Sequence, residues 1–326
     1  MSNVKGNDIK VAIKCLVYNH EPYLRECLEG FVMQQTDFPF VAIVHDDAST
    51  DHSADIIREY AAKYPDIIHP IYETENQYSK KNGSLTKIMD TAIAATGAPY
   101  IALCEGDDYW TDPHKLQKQV DFLDTHPEYV LCCHRYKILN QNDGTWNQDY
   151  IAAFFTEDTN AEGFAFTKKD NLHTWITKTM TLLYRASVAI PDTAHFRYWR
   201  DVHRNYYMLK QGRGYCLPWI GAVYRRQDGG VFAPLSNWQK QKVGYLITNE
   251  LLRANPDDVD LKDYMKELHK TMLDSIRALV QQHRWKEAWE RGKLYFPQDR
   301  YLYGNRGLLF SLSKMLHSYI YSLQKK

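Results

Sequence analysis

Short apolar runs alternate with helical spacings along the first half of the chain. Residues 10–18 predict a first strand, because every second position from Val11 to Val17 is apolar. A helix is expected to start near Pro22, which suits a first helical turn, and residues 40–44 predict a second strand. The alternation continues to a further strand at residues 100–104. This order predicts an α/β fold, with a mostly parallel central sheet flanked by helices.

The second half of the chain is less regular. Residues from about 140 to 172 are rich in Asn, Asp, Thr, Phe and Gly and predict loops, whereas residues 174–184 predict a strand. A helix is expected over residues 200–211 and a strand over residues 214–225. From Trp238 the pattern is helical to the end. One helical face there carries five side chains: Tyr264, Leu268, Met272, Ile276 and Leu279.

These patterns predict two parts of the chain. A domain is expected over residues 1–235, with one half at 8–135 and the other at 136–235, and residues 236–326 form a helical C-terminal extension. The end of this extension mixes basic, aromatic and aliphatic side chains, with an apolar segment from Leu308 to Ile320. Such a segment could lie on a membrane or bind a lipid-linked molecule. Packing on the first domain or on a second subunit is the preferred interpretation.

Charge and composition restrict the class of partner. Forty Lys and Arg balance forty Asp and Glu, so no overall field favours nucleic acid. Hydrophobic residues make up 44%, as in ordinary soluble proteins. No apolar stretch approaches the roughly 20 residues of a membrane helix. The six cysteines lack metal-ligand spacing and lie mostly in apolar segments, which favours buried thiols in a reducing compartment. The polar N-terminus lacks a signal-peptide pattern, and we expect a cytoplasmic protein.

Acidic residues follow two of the predicted strands. Asp46 and Asp47 come after the strand at 40–44, and Glu105, Asp107 and Asp108 come after the strand at 100–104. Ligands of open α/β sheets bind beyond the carboxyl ends of parallel strands, and carboxylates there suit a divalent cation with the anion that it carries. Helix capping is the structural alternative, and it is stronger for the first pair. Clustered carboxylates repel one another, so stability alone is a poor reason for the second group.

Three coupled motifs carry a resemblance to a known family. They are the segment from Val11 to Gln35, the Asp-Asp-Ala-Ser motif at 46–49, and the Glu-Gly-Asp-Asp motif at 105–108 with Pro113 and Leu116 after it. In order, spacing and strand context they resemble family 2 glycosyltransferases of the GT-A fold, most closely bacterial members that build surface polysaccharides. The resemblance covers residues 8–135 and continues more loosely to about 232. It implies a nucleotide-sugar donor, with UDP favoured, a Mn²⁺ or Mg²⁺ ion, and transfer to a hydroxyl with inversion.

The resemblance also implies donor contacts in the first half of the domain. Tyr18 matches the position whose ring lies on the nucleotide base, and we include the neighbouring Asn19 among the donor contacts. Asp46 and Asp47 match the pair near the base and the ribose. From the residues alone, Tyr18 could equally belong to the core.

Metal and phosphate contacts are implied by the second acidic motif and by a later basic pair. Asp107 matches the metal-binding acid of the Asp-x-Asp motif, Glu105 stands where the family usually has Asp, and Asp108 is the acid that follows. Arg225 and Arg226 match a segment that closes over the diphosphate, where arginine pairs well with phosphate oxygens. A solvated arginine pair is the alternative.

An inverting transfer needs a base that takes the proton of the acceptor hydroxyl. The family places an acid at the start of a helix in the second half of the domain, and Asp201 stands at such a position. The alternative is a helix N-terminal acid favoured by the dipole. Trp175, Trp199 and His203 are candidate acceptor contacts, although core packing is at least as plausible for them.

The sequence therefore predicts a metal-dependent inverting glycosyltransferase. Its partners would be a UDP-sugar and a glycan or lipid-linked acceptor, with peripheral contact at the inner face of the plasma membrane and a homodimer as further options. Two other classes stay open at this point: a catalytically silent module that binds sugar nucleotides or glycans, and a nucleotidyltransferase that makes the sugar nucleotide. The latter normally has an early Gly-rich basic loop, and residues 15–20 contain neither Gly nor Arg.

Overall fold

The computed structural model describes residues 9–155, 162–191, 196–227 and 235–303, with side chains up to Tyr295. The chain divides into two compact units, Met1–Leu235 and Ser236–Lys326. The predicted apolar segment from Leu308 to Ile320 lies outside the described residues.

Ten strands in the described part of the first unit form one sheet. They are β1 (Val11–Val17), β2 (Phe40–Asp46), β3 (Ile68–Tyr72), β4 (Tyr100–Leu103), β5 (Tyr109–Trp110), β6 (Tyr129–Asn140), β7 (Trp146–Gln148), β8 (Phe164–Phe166), β9 (Leu183–Arg185) and β10 (Arg213–Arg226).

The order of the main path of the sheet is β3-β2-β1-β4-β9-β6-β10-β5, with β7 beside β6 and β8 beside β10. Strand β1 pairs in parallel with β2 and β4, β2 with β3, and β6 with β10. The other pairings are antiparallel. The predicted α/β fold with a mostly parallel sheet is confirmed, and the sheet is mixed because short antiparallel strands join its second half.

Six α-helices of the first unit are described. They are α1 (Glu21–Val32), α2 (Ser53–Lys63), α3 (Ser84–Ala95), α4 (Lys115–Thr125), α5 (Lys168–Thr174) and α6 (Asp201–Leu209). The apolar side chains of α1, α2 and α4 pack in one cluster on one face of the sheet, and those of α3 and α6 pack in a second cluster on the other face. Strand β1 supplies Val11, Ile13 and Cys15 to the first cluster and Ala12 to the second, as its period of two requires.

Two predictions on local structure are wrong. The expected strand at 174–184 is a loop and a short 3₁₀ helix, and only Leu183–Arg185 is a strand. The expected loops at 140–172 include β7, β8 and α5 in their described part. The apolar residues of 174–184 do not keep one period over the segment, and only its end pairs with β4 and β6. Strand β7 forms a hairpin with β6, and β8 pairs with β10, which lies far away in sequence.

All six cysteines are buried free thiols, as predicted. Cys27 and Cys104 both donate a weak hydrogen bond to the backbone oxygen of Glu105, with sulfur–oxygen distances of 3.5 Å and 3.7 Å. These thiols therefore pack directly beneath the second acidic motif.

The second unit has three helices within its described residues: α7 (Asn237–Ala254), α8 (Val259–Gln281) and α9 (Trp285–Tyr303). The predicted C-terminal helical region is confirmed, but the buried face of α8 is partly different. Met272, Ile276 and Leu279 are buried as predicted, whereas Tyr264 and Leu268 are half-buried. Leu261, Met265 and His269 take the inward positions of the first turns.

Candidate active site

Three parallel strands end together at one edge of the sheet. Val17, the last residue of β1, lies opposite Asp46 of β2, and its carbonyl accepts a hydrogen bond from the Asp47 amide at 2.9 Å. On the other side of β1, the amide of Gly106 donates to the carbonyl of Leu16 at 2.9 Å. The two acidic motifs therefore flank the end of β1, and Tyr18 follows β1 between them.

Tyr18 is 46% exposed, unlike the buried residues of β1 before it. A planar aromatic surface at this edge is available for stacking. Asn19 has a positive φ of 55°. Its side-chain oxygen accepts from the Thr50 amide at 2.7 Å, and its own amide donates to Ser49 Oγ at 3.0 Å. Asn19 thus connects the end of β1 to the loop after β2, a structural role that sequence reasoning did not assign to it.

Asp46 and Asp47 are both buried, but their environments differ. Both carboxylate oxygens of Asp47 accept backbone hydrogen bonds, from Gln77 at 2.6 Å and from Tyr78 at 3.0 Å. Asp47 therefore holds the loop between β3 and α3. Asp46 Oδ2 accepts weakly from the Ser49 amide at 3.3 Å, and Asp46 Oδ1 has no hydrogen-bond partner among the described residues. A buried acceptor without a donor is costly, and a ligand hydroxyl or N–H would satisfy it.

The second acidic motif is fixed by residues at the end of β10 and directly after it. Asp108 is buried, and its Oδ1 accepts from the Arg225 amide at 2.8 Å. Burial and the charge of Asp107 raise the pKa of Asp108 well above its ordinary value. Asp107 is half-buried, and its Oδ2 accepts from Gln227 Nε2 at 2.9 Å. Asp108 is therefore a structural anchor for this loop, and Asp107 is the acid that the loop presents.

Glu105 is in electrostatic contact with two other acids. Desolvation and the charges of Asp107 and Asp201 raise the pKa of Glu105 to about 7. The Glu105 side chain is exposed at the rim, so we attribute more of this rise to the two carboxylates than to burial. The interaction also shows that Asp201, from the second half of the domain, lies near the second acidic motif.

The two arginines predicted as phosphate contacts have partners within the protein. Arg225 is buried, its guanidinium pairs with Glu26 and donates to the Asp107 carbonyl at 3.2 Å, and it lies 4.5 Å from the centre of the Tyr109 ring. With these partners Arg225 braces the loop of Asp107, while its Nε is buried and has no hydrogen-bond partner among the described residues. Arg226 is exposed, and its guanidinium donates to the hydroxyl of Tyr150.

Asp201 is the first residue of α6 and is half-buried. His203 is completely buried, and its Nδ1 accepts from the Arg200 amide at 3.2 Å, which fixes the start of the helix. Burial lowers the pKa of His203 to about 4, so the ring stays neutral. The Trp199 ring stacks on it with a centroid distance of 5.3 Å. An acceptor contact does not fit a buried ring, and His203 instead positions Asp201.

Trp175 is half-buried and follows α5 with a positive φ of 55°, an uncommon conformation for a bulky side chain. Like Trp199, it is a predicted acceptor contact. Trp199 packs against His203 and Phe196, with a ring distance of 5.4 Å to the latter. These packing contacts explain the position of the Trp199 ring. Trp175 lies three residues before Lys178, at the start of the loop that carries this lysine.

Sequence reasoning missed two charged or titratable residues near the acidic motifs. His20 follows Asn19. Burial lowers the pKa of His20, although the charges of Asp107 and Asp51 act to raise it. The charge of Lys178 acts on both Glu105 and Asp108. His20 could have been found from the sequence, because it lies shortly after β1, at the edge where the acidic motifs were expected. No local pattern indicated Lys178, because it reaches the site from a loop far away in sequence.

The carboxylates at this edge could hold a divalent ion whose remaining coordination positions are filled by a bound ligand and water. Within the described residues, no group of three or more His, Cys, Asp or Glu side chains has the geometry to hold a metal by itself. Mg²⁺ typically takes one or two protein carboxylates and fills the remaining positions with phosphate and water. Asp107 meets this requirement, since Oδ1 makes no hydrogen bond to the described residues, and exposed Glu105 is a second carboxylate nearby.

Gly106 allows the close approach of this loop to β1. A Cβ at this position would lie 2.8 Å from His20 Nδ1 and 2.9 Å from Val17 Cγ2. We expect Gly106→Ala to push Glu105 and Asp107 away from the edge, to cost about 1–3 kcal/mol of unfolding free energy, and to weaken nucleotide binding. Chemical denaturation and nucleotide titration measure the two effects.

Gly244→Ala is the matched control, because a Cβ there meets nothing within 4 Å and the residue lies inside α7. This change should raise stability by about 0.5–1 kcal/mol through helix propensity. Equal stability and equal nucleotide affinity of Gly106→Ala and the unchanged protein would contradict the tight packing at this loop.

Two acidic motifs thus lie at one edge of a mixed α/β sheet, on either side of the end of β1. The sequence profile of glycosyl transferase family 2 matches residues 15–188, and the chain belongs to this family. This confirms the family predicted from the motifs.

Known proteins support the same assignment. Uncharacterized protein Rv1520 of Mycobacterium tuberculosis is 36% identical over 222 residues, which are 68% of this chain and 60% of that protein. The chain thus spans less than two thirds of this curated relative. The crystal structure of Staphylococcus aureus TarS 1-349 in complex with UDP-GlcNAc has a TM-score of 0.59 at 18% identity, and the match covers 95% of this chain and 89% of that one. The structure of GalNAc-T7 with UDP, GalNAc and Mn²⁺ has a TM-score of 0.51 at 10% identity, with 74% and 48% covered. The predicted GT-A fold is confirmed.

No helix in the described part of the chain combines the length and the hydropathy that a membrane span requires.

Proposed function

We propose that this protein is a metal-dependent inverting glycosyltransferase that moves a sugar from a nucleotide-diphosphate donor to a hydroxyl of a glycan or lipid-linked acceptor in surface polysaccharide synthesis. The observation that carries the proposal is the position of the two acidic motifs on either side of the end of β1. One nucleotide diphosphate lying across this edge would reach both. Family membership and the donor complex of TarS support the choice of UDP as the nucleotide.

In this proposal the nucleoside binds at Tyr18 and Asp46. The exposed Tyr18 ring stacks on the base, and the unsatisfied Asp46 Oδ1 accepts a hydrogen bond from the ribose or the base. Asp47 and Asn19 act indirectly, because their hydrogen bonds keep the neighbouring loops in place.

Asp107 would hold the ion, with Glu105 in support and Gln227 and Arg225 fixing the position of the acid. When bound, Mn²⁺ or Mg²⁺ neutralises the diphosphate and makes it a better leaving group. The clustered charges of Glu105, Asp107 and Asp201 favour a cation at this place. The Mn²⁺ of GalNAc-T7, a protein of related fold, supports the same class of ion.

Asp201 would take the proton from the acceptor hydroxyl as the bond to the anomeric carbon forms. It stands at the start of α6, its Oδ1 accepts only from the adjacent Val202 amide at 3.0 Å among the described residues, and its charge acts on Glu105. Attack from the side of Asp201, opposite to the departing diphosphate, gives inversion.

A ligand screen tests the donor. We expect the thermal unfolding midpoint to rise with UDP-sugars in the presence of Mn²⁺, more than with GDP-, CDP- or dTDP-sugars, because ligands that bind only the folded state stabilise it by mass action. Chelation of the metal should remove most of the shift.

Two further measurements distinguish the proposal from its rivals. Slow release of UDP from the donor without acceptor would exclude a silent binding module. Release of pyrophosphate from a nucleoside triphosphate would instead favour a nucleotidyltransferase. The cytoplasmic location, the peripheral membrane contact and a homodimer stay predictions.

A further inference from the structure

Lys178 is a positively charged residue that the proposed donor site does not use. Its ammonium nitrogen lies 4.1 Å from the centre of the Tyr224 ring and 5.5 Å from the centre of the Tyr150 ring. Among the described residues it forms no ion pair, although it lies close enough to Glu105 and Asp108 to act on their charge. Cation–π contacts hold the ammonium in place without neutralising it.

Buried hydrogen bonds fix the backbone on both sides of Lys178. Its carbonyl accepts from the Thr181 amide at 3.0 Å and from Thr181 Oγ1 at 2.8 Å. The preceding residue, Thr177, is completely buried, and both its amide and its hydroxyl donate to Asn171 Oδ1 at 3.0 Å. Such a network is expensive unless every member is satisfied, and it gives the cation a defined position.

The same network reaches the helix of the proposed base. Asn205 of α6 is buried, and its Nδ2 donates to Thr177 Oγ1 at 2.7 Å. Asn205 lies one helical turn after Asp201, so Lys178 and Asp201 are fixed relative to each other. Both charges act on Glu105, so a molecule whose hydroxyl faces Asp201 would have its neighbouring groups within reach of Lys178. In the proposed reaction that molecule is the acceptor.

A second cation borders the same aromatic surface. Arg226 donates to the Tyr150 hydroxyl, and its guanidinium carbon lies 5.4 Å from the centre of the Tyr150 ring. Tyr150 is 48% exposed. Lys178 and Arg226 therefore both contact this exposed ring. Both belong to the second half of the domain, whereas the proposed nucleoside contacts, Tyr18 and Asp46, belong to the first half.

We propose that Lys178, Arg226 and Tyr150 form an acceptor subsite for a phosphate group, so that the acceptor carries a phosphate near the hydroxyl that receives the sugar. Arginine and lysine are the usual phosphate-binding side chains, and the tyrosine supplies a flat surface for the adjoining carbon chain. The proposal rests on the proposed function, and it moves Arg226 from the donor to the acceptor.

Glycerol 3-phosphate and glycerol, which differ only in the phosphate, are suitable probes. We expect the protein saturated with UDP and Mg²⁺ to bind glycerol 3-phosphate measurably more tightly than glycerol by calorimetric titration. Lys178→Met should weaken this binding by about tenfold, Lys178→Arg should restore part of it, and added salt should weaken it further. The affinity of Lys178→Met for UDP should change much less.

Lys63→Met is the matched control, since Lys63 also lies over a tyrosine ring, at 5.0 Å from the centre of Tyr64, but in the last turn of α2. It should leave both affinities unchanged. Thermal unfolding of every variant confirms that it is folded.

Two results would overturn the subsite. One is equal binding of glycerol 3-phosphate and glycerol. The other is a loss of UDP affinity in Lys178→Met as large as the loss for glycerol 3-phosphate, which would assign the lysine to the donor diphosphate. If the unchanged protein binds no UDP, the proposed function fails instead, and titration of the nucleotide-free protein with glycerol 3-phosphate still decides the subsite.

Discussion

Asp107→Asn should reduce sugar transfer by about a thousandfold or more. The substitution keeps the size of the side chain and can keep an oxygen toward Gln227, but it removes the charge that would hold the ion. A metal ion contributes several kcal/mol to stabilising the charge of a leaving diphosphate, and about 1.4 kcal/mol corresponds to a factor of ten in rate. Initial rates of UDP release, measured over a range of Mn²⁺ concentrations, give the size of the loss.

We expect the lower transfer rate of Asp107→Asn to be accompanied by weaker metal-dependent binding of the donor. UDP affinity with Mn²⁺ should fall, whereas UDP affinity with a chelator should stay nearly the same. Asp121→Asn is the control, because Asp121 is an exposed acid of α4. Its carboxylate accepts a hydrogen bond from Gln117 Nε2, and its backbone carbonyl accepts one from Thr125 Oγ1. Full activity of Asp107→Asn at limiting Mn²⁺ would remove Asp107 from the metal site.

Asp201→Asn should lower the turnover number by about 10²–10⁴-fold while the donor affinity stays nearly unchanged, because general base catalysis contributes a factor of this size. The substitution removes the basic oxygen but keeps the shape of the side chain at the start of α6. Single-turnover rates together with donor titration separate the two quantities.

A structural role for Asp201 predicts a different result. Loss of a favourable charge at a helix N-terminus costs about 0.3–1 kcal/mol of stability and changes no proton transfer. Asp260→Asn is the matched control, since Asp260 lies in the first turn of α8 in the second unit. Unfolding of Asp201→Asn under assay conditions, with turnover per folded molecule preserved, would show that the residue supports the helix and is not the base.

The resemblance to the family could be recognised from the sequence because its motifs lie on regular elements. Alternation in β1 and the acids after β2 and β4 are local features, and parallel strands bring their carboxyl ends to one edge. The prediction that Asp46 and Asp107 lie at the same edge needed no more than this rule. The apolar pattern at 174–184 predicted a strand that is too long, because residues 179–181 form a 3₁₀ helix and only Leu183–Arg185 pairs in the sheet.

The side-chain partners at the site could not be predicted in the same way. Asp47 accepts from Gln77, Asp108 accepts from Arg225, and neither contact follows from a local pattern because the partners are far apart along the chain. The same limit applied to Arg225. A motif gives the residue type at a position, whereas its burial and its pairing with Glu26 depend on the packed fold.

The sequence by itself determined the α/β architecture, the family and the edge of the sheet at which the acids lie, because strand and helix periods and strand ends are local properties. Only the tertiary structure decided which carboxylates accept hydrogen bonds from the protein and which have an oxygen left for a ligand. It alone brought Lys178 close to the acidic motifs. The physical reason is that desolvation and hydrogen bonding act between groups that are close in space, and the folded chain sets those neighbours independently of their separation in sequence.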